Sequence, residues 1–86
     1  MARLIPAAER IVRARKLIQK ARDLPVPELT GKYDLGYRAQ VKDLLQQARD
    51  LVKFIPNTPT ATTELKAEVT RIYAEADQAN QDIFHS

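Results

Sequence analysis

The sequence predicts an all-α fold, a left-handed up-down-up bundle of three helices. Three apolar stripes carry that expectation. Tyr37, Val41, Leu44, Ala48, Leu51 and Ile55 are spaced 4, 3, 4, 3, 4, which sets them on one face of a helix and gives it a seam to bury. Leu65, Val69, Ile72, Ala76, Ala79 and Ile83 repeat that spacing, and Leu4, Ala7, Ile11, Ala14, Ile18 and Ala21 open the chain with a shifted version of it. Prolines separate the stripes, so three short helices are predicted rather than one long one. With 86 residues, 44% hydrophobic and 29% charged, the chain has the composition of one small folded domain.

The first helix is expected over about residues 6–23, with Pro6 tolerated in its first turn. Pro25 and Pro27 end it, because each disfavours helix at the residue before it. Thr30-Gly31-Lys32 reads as a turn. It is not a phosphate loop, which needs a glycine-rich run between a strand and a helix. The second helix is expected over about 34–55, with Asp34 as N-cap, Gly36 weakening the first turn and Pro56 closing the last. Thr58 as N-cap and Pro59 at the first helical position predict a third helix over about 59–83, with Phe84, His85 and Ser86 either fraying or packing as a tail. One internal echo stands out: Leu17-Ile18-Gln19-Lys20-Ala21-Arg22-Asp23-Leu24 resembles Leu44-Leu45-Gln46-Gln47-Ala48-Arg49-Asp50-Leu51. It arises either by chance between helices of similar composition or by duplication of a helical segment.

Short connections favour antiparallel neighbours crossing at roughly 20°, so the first and third helices run parallel. The net charge of +3 divides unevenly: residues 1–23 carry a balance of +5, 24–57 of +1 and 58–86 of −3. With the seam residues at heptad positions a and d, Arg15 and Arg22 fall at e, and Glu68, Glu75 and Asp82 fall at g. Parallel helices set e beside g, so the basic first helix and acidic third helix are expected to pair along a shared edge. Ala7, Ala14, Ala21, Ala76 and Ala79 let helix axes approach closely, with Leu44, Leu51 and Ile55 filling the space between them.

The sequence has no cysteine, which excludes disulfides and thiolate metal sites and fits a reducing compartment, the cytoplasm by default. No apolar run reaches the ~18 residues that span a bilayer. The N-terminal residues lack the continuous apolar core of a signal peptide, and Glu9 and the lack of serine there argue against a transit peptide.

Catalysis finds little support. The sole histidine is His85, next to last, and Ser86 is the only serine. Neither a nucleophile with its base nor a transition-metal cluster can be assembled from these. Glu68, Glu75 and Asp82 are spread by about 10 Å per step along a helix, too far apart to share one ion. The Glu-x-x-His pairs of a di-metal bundle are absent as well. The expectation is a chain that is not an enzyme, with no catalytic or metal residues and no cofactor.

Two binding surfaces stand out. Leu45, Val52 and Phe54 lie off the main stripe of the middle helix; they either widen the core towards a second neighbour or form an apolar patch for a partner. Arg3, Arg10, Arg13, Lys16 and Lys20 fall within a ~140° arc of the first helix, a face that could track phosphates. The Pro-rich connection is too long for a helix-turn-helix, and the apolar face of the first helix is committed to the bundle rather than to a membrane surface. The sequence therefore points first to a non-enzymatic helical interaction or adaptor module, taking a protein partner or a second copy of the chain through Leu45, Val52 and Phe54. The alternative is an accessory nucleic-acid-binding protein using Arg10, Arg13, Lys16 and Lys20. No motif ties the chain to a named family of three-helix modules.

Overall fold

The computed structural model describes residues 6–85; Arg3, Leu4 and Ser86, which figure in the expectations above, lie outside the described residues. Three α-helices pack against one another, with no strand among the described residues. Helix α1 spans Ala7–Asp23, α2 spans Leu35–Val52 and α3 spans Thr63–Phe84.

Local chemistry sets the first boundaries where the sequence puts them. Pro6 stands just ahead of α1, its carbonyl accepting the Arg10 amide at 3.0 Å. Leu24 is extended ahead of Pro25, so the helix stops at Asp23. In the connection, Gly31 takes φ +62°, a left-handed conformation that disfavours any side chain, and opens a 3₁₀ turn over Gly31–Tyr33. Asp34 caps α2, its Oδ1 accepting the Tyr37 amide at 2.8 Å while Oδ2 accepts the Thr30 hydroxyl at 2.9 Å. Those donors, the Tyr37 amide foremost, hold its carboxyl below the usual carboxylate range.

The later boundaries differ from expectation by about a turn. Helix α2 ends at Val52, not near Ile55. The ring of Pro56 would meet the carbonyl four residues back, that of Val52, and Pro56 also turns its predecessor away from α geometry. The chain tightens instead into a 3₁₀ turn over Ile55–Asn57 that keeps Ile55 buried. Thr58 closes that turn rather than opening α3: its amide and its hydroxyl both donate to the Ile55 carbonyl, at 3.1 and 2.8 Å. Thr62 is the cap in its place, its Oγ1 accepting the Leu65 amide at 3.1 Å. At the other end α3 runs on through Phe84, one residue beyond expectation, and Phe84 is buried, so of the two expectations for it packing holds.

Ion pairs reveal the topology. Arg15 donates to Glu68 at 2.6 Å and to Glu75 at 3.2 Å, and Arg22 donates to Asp82 at 2.9 Å. The numbers rise together, so α1 and α3 run parallel along the e–g edge that the heptad assignment selects. Arg49 of α2 meets Asp77 at 2.7 Å while Tyr37 meets Phe84, so α2 and α3 are antiparallel. Ala14, Ala21, Ala48, Ala76 and Ala79 have no exposed surface, and the larger Ile18, Leu44, Leu45 and Ile72 fill the space around them.

The echo between residues 17–24 and 44–51 has a structural counterpart. Gln19 donates to Asp23 at 2.9 Å and Gln46 donates to Asp50 at 3.0 Å, the same i,i+4 bond in each copy. Ala21 and Ala48 are both fully buried, and Arg22 and Arg49 each reach an aspartate of α3. The two segments therefore present equivalent faces to the same third helix.

The α1–α3 edge has a pH signature. Hydrogen bonding from Arg15, then from Arg71, holds the Glu68 carboxyl below the usual range, and Arg22, then Gln78, does the same for Asp82. A carboxyl whose folded pKa lies below its unfolded value of about 4 contributes stability that is fully present above that value and lost as pH falls through the folded one. Thermal melts followed by circular dichroism between pH 7 and pH 2 are expected to show Tm falling on the acid side of about pH 4. Arg15→Gln should flatten that fall, and identical profiles for the two proteins would refute the coupling.

Candidate functional site

The three apolar candidates of α2 separate in the structure. Leu45 and Val52 are core residues, 1% and 0% exposed. A middle helix faces two neighbours and needs a wider apolar arc than one stripe supplies, so these two side chains pack inward and offer no surface to a partner. Phe54 alone is exposed, at 66%, on the turn that follows α2, with the Lys53 ammonium 5.0 Å from its ring centroid.

The basic residues of α1 form one wall of a groove. Arg10, Arg13, Lys16 and Lys20 line a cavity of about 590 Å³ between α1 and α2, with Gln47 and Asp50 on the opposite wall. Leu17 and Leu51, both half-buried against the core, complete its lining. A second cavity of about 320 Å³ shares Arg10 and Leu51 with the first and extends past Ala7, Phe54 and Ile55 to Thr58 and Thr60. The two are lobes of one furrow, basic at the Lys20 end and apolar around Phe54.

The four cations are not equivalent. Arg10 is half-buried at the waist of the furrow, its Nη1 donating to the Leu51 carbonyl at 3.3 Å. That carbonyl lies in the last turn of α2, where the helix supplies no amide to bond it. A cation there also opposes the negative end of the helix dipole. Arg10 thus joins α1 to the end of α2. Arg13 pairs with Glu9 one turn back, at 3.0 Å, both side chains half exposed. Lys16 and Lys20 are exposed and make no ion pair among the described residues. On the facing wall, Asp50 accepts from Gln46 and lies 3.4 Å from the Lys53 ammonium, so its charge is partly answered before any ligand arrives.

Other features were expected to carry less. Tyr33 is exposed and Tyr37 is buried in the core. Val26, Leu29 and Leu35 are exposed around the α1–α2 connection, at the end of α1 away from Arg10. Among the described residues no three His, Asp or Glu side chains converge as a metal site, and no helix is long and apolar enough to cross a membrane.

The furrow was invisible as a unit in the sequence. Arg13, Lys16 and Lys20 are legible as a face, but Leu17, Gln47 and Leu51 join them only once α1 and α2 are packed. The echo was the one hint, because Leu17 and Lys20 come from its first copy and Gln47, Asp50 and Leu51 from its second.

Fold and furrow define a class: an all-helical three-helix bundle with a basic, apolar-floored groove between its first two helices. Comparison of the chain with protein-family models, with curated proteins and with solved structures gives no significant match.

Proposed function

We propose that this chain is a non-enzymatic helical interaction module, acting in the cytoplasm, whose α1–α2 furrow receives a segment of a partner protein. The observation that carries the reading is the furrow itself: an apolar floor of Leu17 and Leu51 beneath a wall bearing Arg13, Lys16 and Lys20, with Phe54 at its far lip. An apolar floor with a charged rim is the arrangement by which a groove takes an amphipathic helix: buried side chains supply the affinity and rim charges fix the register. The test is selection of helical peptides from a displayed library against the folded chain, with the winners mapped by amide chemical shifts. Binders that move Lys16, Leu17 and Gln47 support the reading; a selection whose binders all map elsewhere overturns it.

A nucleic-acid reading keeps one observation in its favour, the ammonium groups of Lys16 and Lys20 on a basic face, which make no ion pair among the described residues. Against it stand the use of Arg10 within the fold and the apolar floor of Leu17 and Leu51, which offers a phosphate backbone nothing. Phosphate binding is steeply salt-dependent, so titration of labelled DNA and RNA at low and at moderate salt decides the matter. Absence of binding at low salt ends this second reading.

A further inference from the structure

We infer that the occupant of the furrow is an acidic amphipathic helix of a different protein, about four turns long. The inference rests on the groove reading above and adds the chemistry of the partner. Its length follows from the furrow, which runs along α1 from Ala7 to Lys20, roughly 20 Å at 1.5 Å per residue and so about 14 residues of partner helix.

Charge supplies the sign. Lys16 and Lys20 face solvent with no carboxylate against them among the described residues, where Arg13 pairs with the half-exposed Glu9 alone. The sole acid in the lining, Asp50, already lies near Lys53. The wall of α1 therefore presents unanswered positive charge beside an apolar floor. Carboxylates spaced one turn apart on a partner helix would lie over Lys16 and Lys20, while its apolar stripe covers Leu17 and Leu51 and reaches Phe54.

The source is narrowed by what this chain does with its own acids. A second copy would have to offer α3, its acidic helix, yet four of its five acids, Glu68, Glu75, Asp77 and Asp82, are engaged with Arg15, Arg22, Arg49 or Arg71 inside one protomer, which leaves Glu64 alone and no pair of carboxylates one turn apart. Freeing the four would dismantle the bundle edge, so the complementary carboxylates come from another protein. Nucleic acid offers phosphates but no aliphatic stripe for the floor.

The experiment uses the full chain, isotope-labelled, against three synthetic helical peptides of about 14 residues. They share one leucine stripe and carry glutamate, glutamine or lysine on its flank; a single-stranded oligonucleotide is the fourth probe. The glutamate peptide is expected to shift the amides of Lys16, Leu17, Gln47 and Leu51, and to bind about tenfold more tightly than the glutamine peptide at low salt. That preference should shrink as salt rises. The double variant Lys16→Glu, Lys20→Glu, checked for an unchanged circular dichroism spectrum, should abolish the preference for the glutamate peptide. Equal binding of glutamate and glutamine peptides in the furrow overturns the acidic partner and leaves the groove reading standing. Failure of every peptide to bind in the furrow overturns both. Tighter binding of the oligonucleotide than of the glutamate peptide, lost in the same double variant, reassigns the face to nucleic acid and overturns the inference.

Discussion

Leu45→Ala is expected to lower the free energy of unfolding by about 2–5 kcal/mol, the range for deleting a fully buried leucine side chain. Leu45 is 1% exposed and among the largest fully buried side chains in the bundle. Truncation removes its transfer free energy and leaves a cavity between helices that cannot close completely, because α2 is held against both neighbours. Each kcal/mol moves Tm by roughly 4–8 °C in a domain of this size, so the melt of the variant should be displaced by about 8 °C or more. Phe54→Ala makes the matched control. Phe54 was paired with Leu45 by sequence position but is two-thirds exposed, and a surface substitution changes stability by about 0.5 kcal/mol or less. Urea denaturation of both variants separates the roles. A large loss for Leu45→Ala with near-neutrality for Phe54→Ala fits one residue in the core and the other at the furrow lip. Comparable effects from the two would contradict that division.

The contrast between these residues also marks how far the sequence could be read. Spacing alone gave three helices, their order and the identity of most seam positions, because a 4, 3, 4, 3 pattern is a property of one helix and needs no partner to be visible. Heptad arithmetic went one level further and set the flank of Arg15 and Arg22 beside that of Glu68, Glu75 and Asp82, since parallel packing dictates which flanks meet, and the structure supplies the individual pairs. It stopped at Leu45 and Val52. An apolar residue off the stripe reads the same whether it faces a second neighbour inside the bundle or a partner outside it. Only the packing of α3 decided between the two. The loops failed for a different reason: residues 58–63 offer threonines at several candidate cap positions, and the hydroxyl of Thr58 was drawn back to the Ile55 carbonyl by the turn that Pro56 creates. The furrow was hardest to see. Its basic wall is a face of one helix, but its floor pairs Leu17 with Leu51, residues 34 positions apart that meet only when α1 and α2 lie side by side.

Phe84→Ala is expected to cost about 3 kcal/mol, the lower end of the range for a buried aromatic side chain, although the residue stands two places from the end of the sequence. Three contacts hold it. Its ring meets Tyr37 edge to face, with centroids 6.5 Å apart and planes at 74°. The Arg38 guanidinium lies 4.9 Å from its centroid on the same end of α2. The His85 amide donates to the Gln81 carbonyl at 2.7 Å, keeping the last turn of α3 wound so that the ring points inward. Phe84 thereby closes the end of the bundle at which α2 begins, and Tyr37 is 6% exposed beside it. Without the ring, Tyr37 loses its cover and the last turn of α3 loses its only aromatic anchor, so the helix should unwind back towards Ile83. The aromatic pair itself is expected to contribute about 0.5–1.5 kcal/mol beyond the area it buries. A double-mutant cycle of Tyr37→Leu with Phe84→Leu reads that coupling directly, because leucine keeps an apolar side chain at each position and removes only the ring geometry. Hydrogen exchange gives the local view: in Phe84→Ala the amides of the last α3 turn should lose protection while those near Val69 and Ile72 keep most of theirs. A loss below about 0.5 kcal/mol, within the range of ordinary surface changes, would show instead that the terminal turn contributes nothing to the fold and that the bundle ends at Ala79.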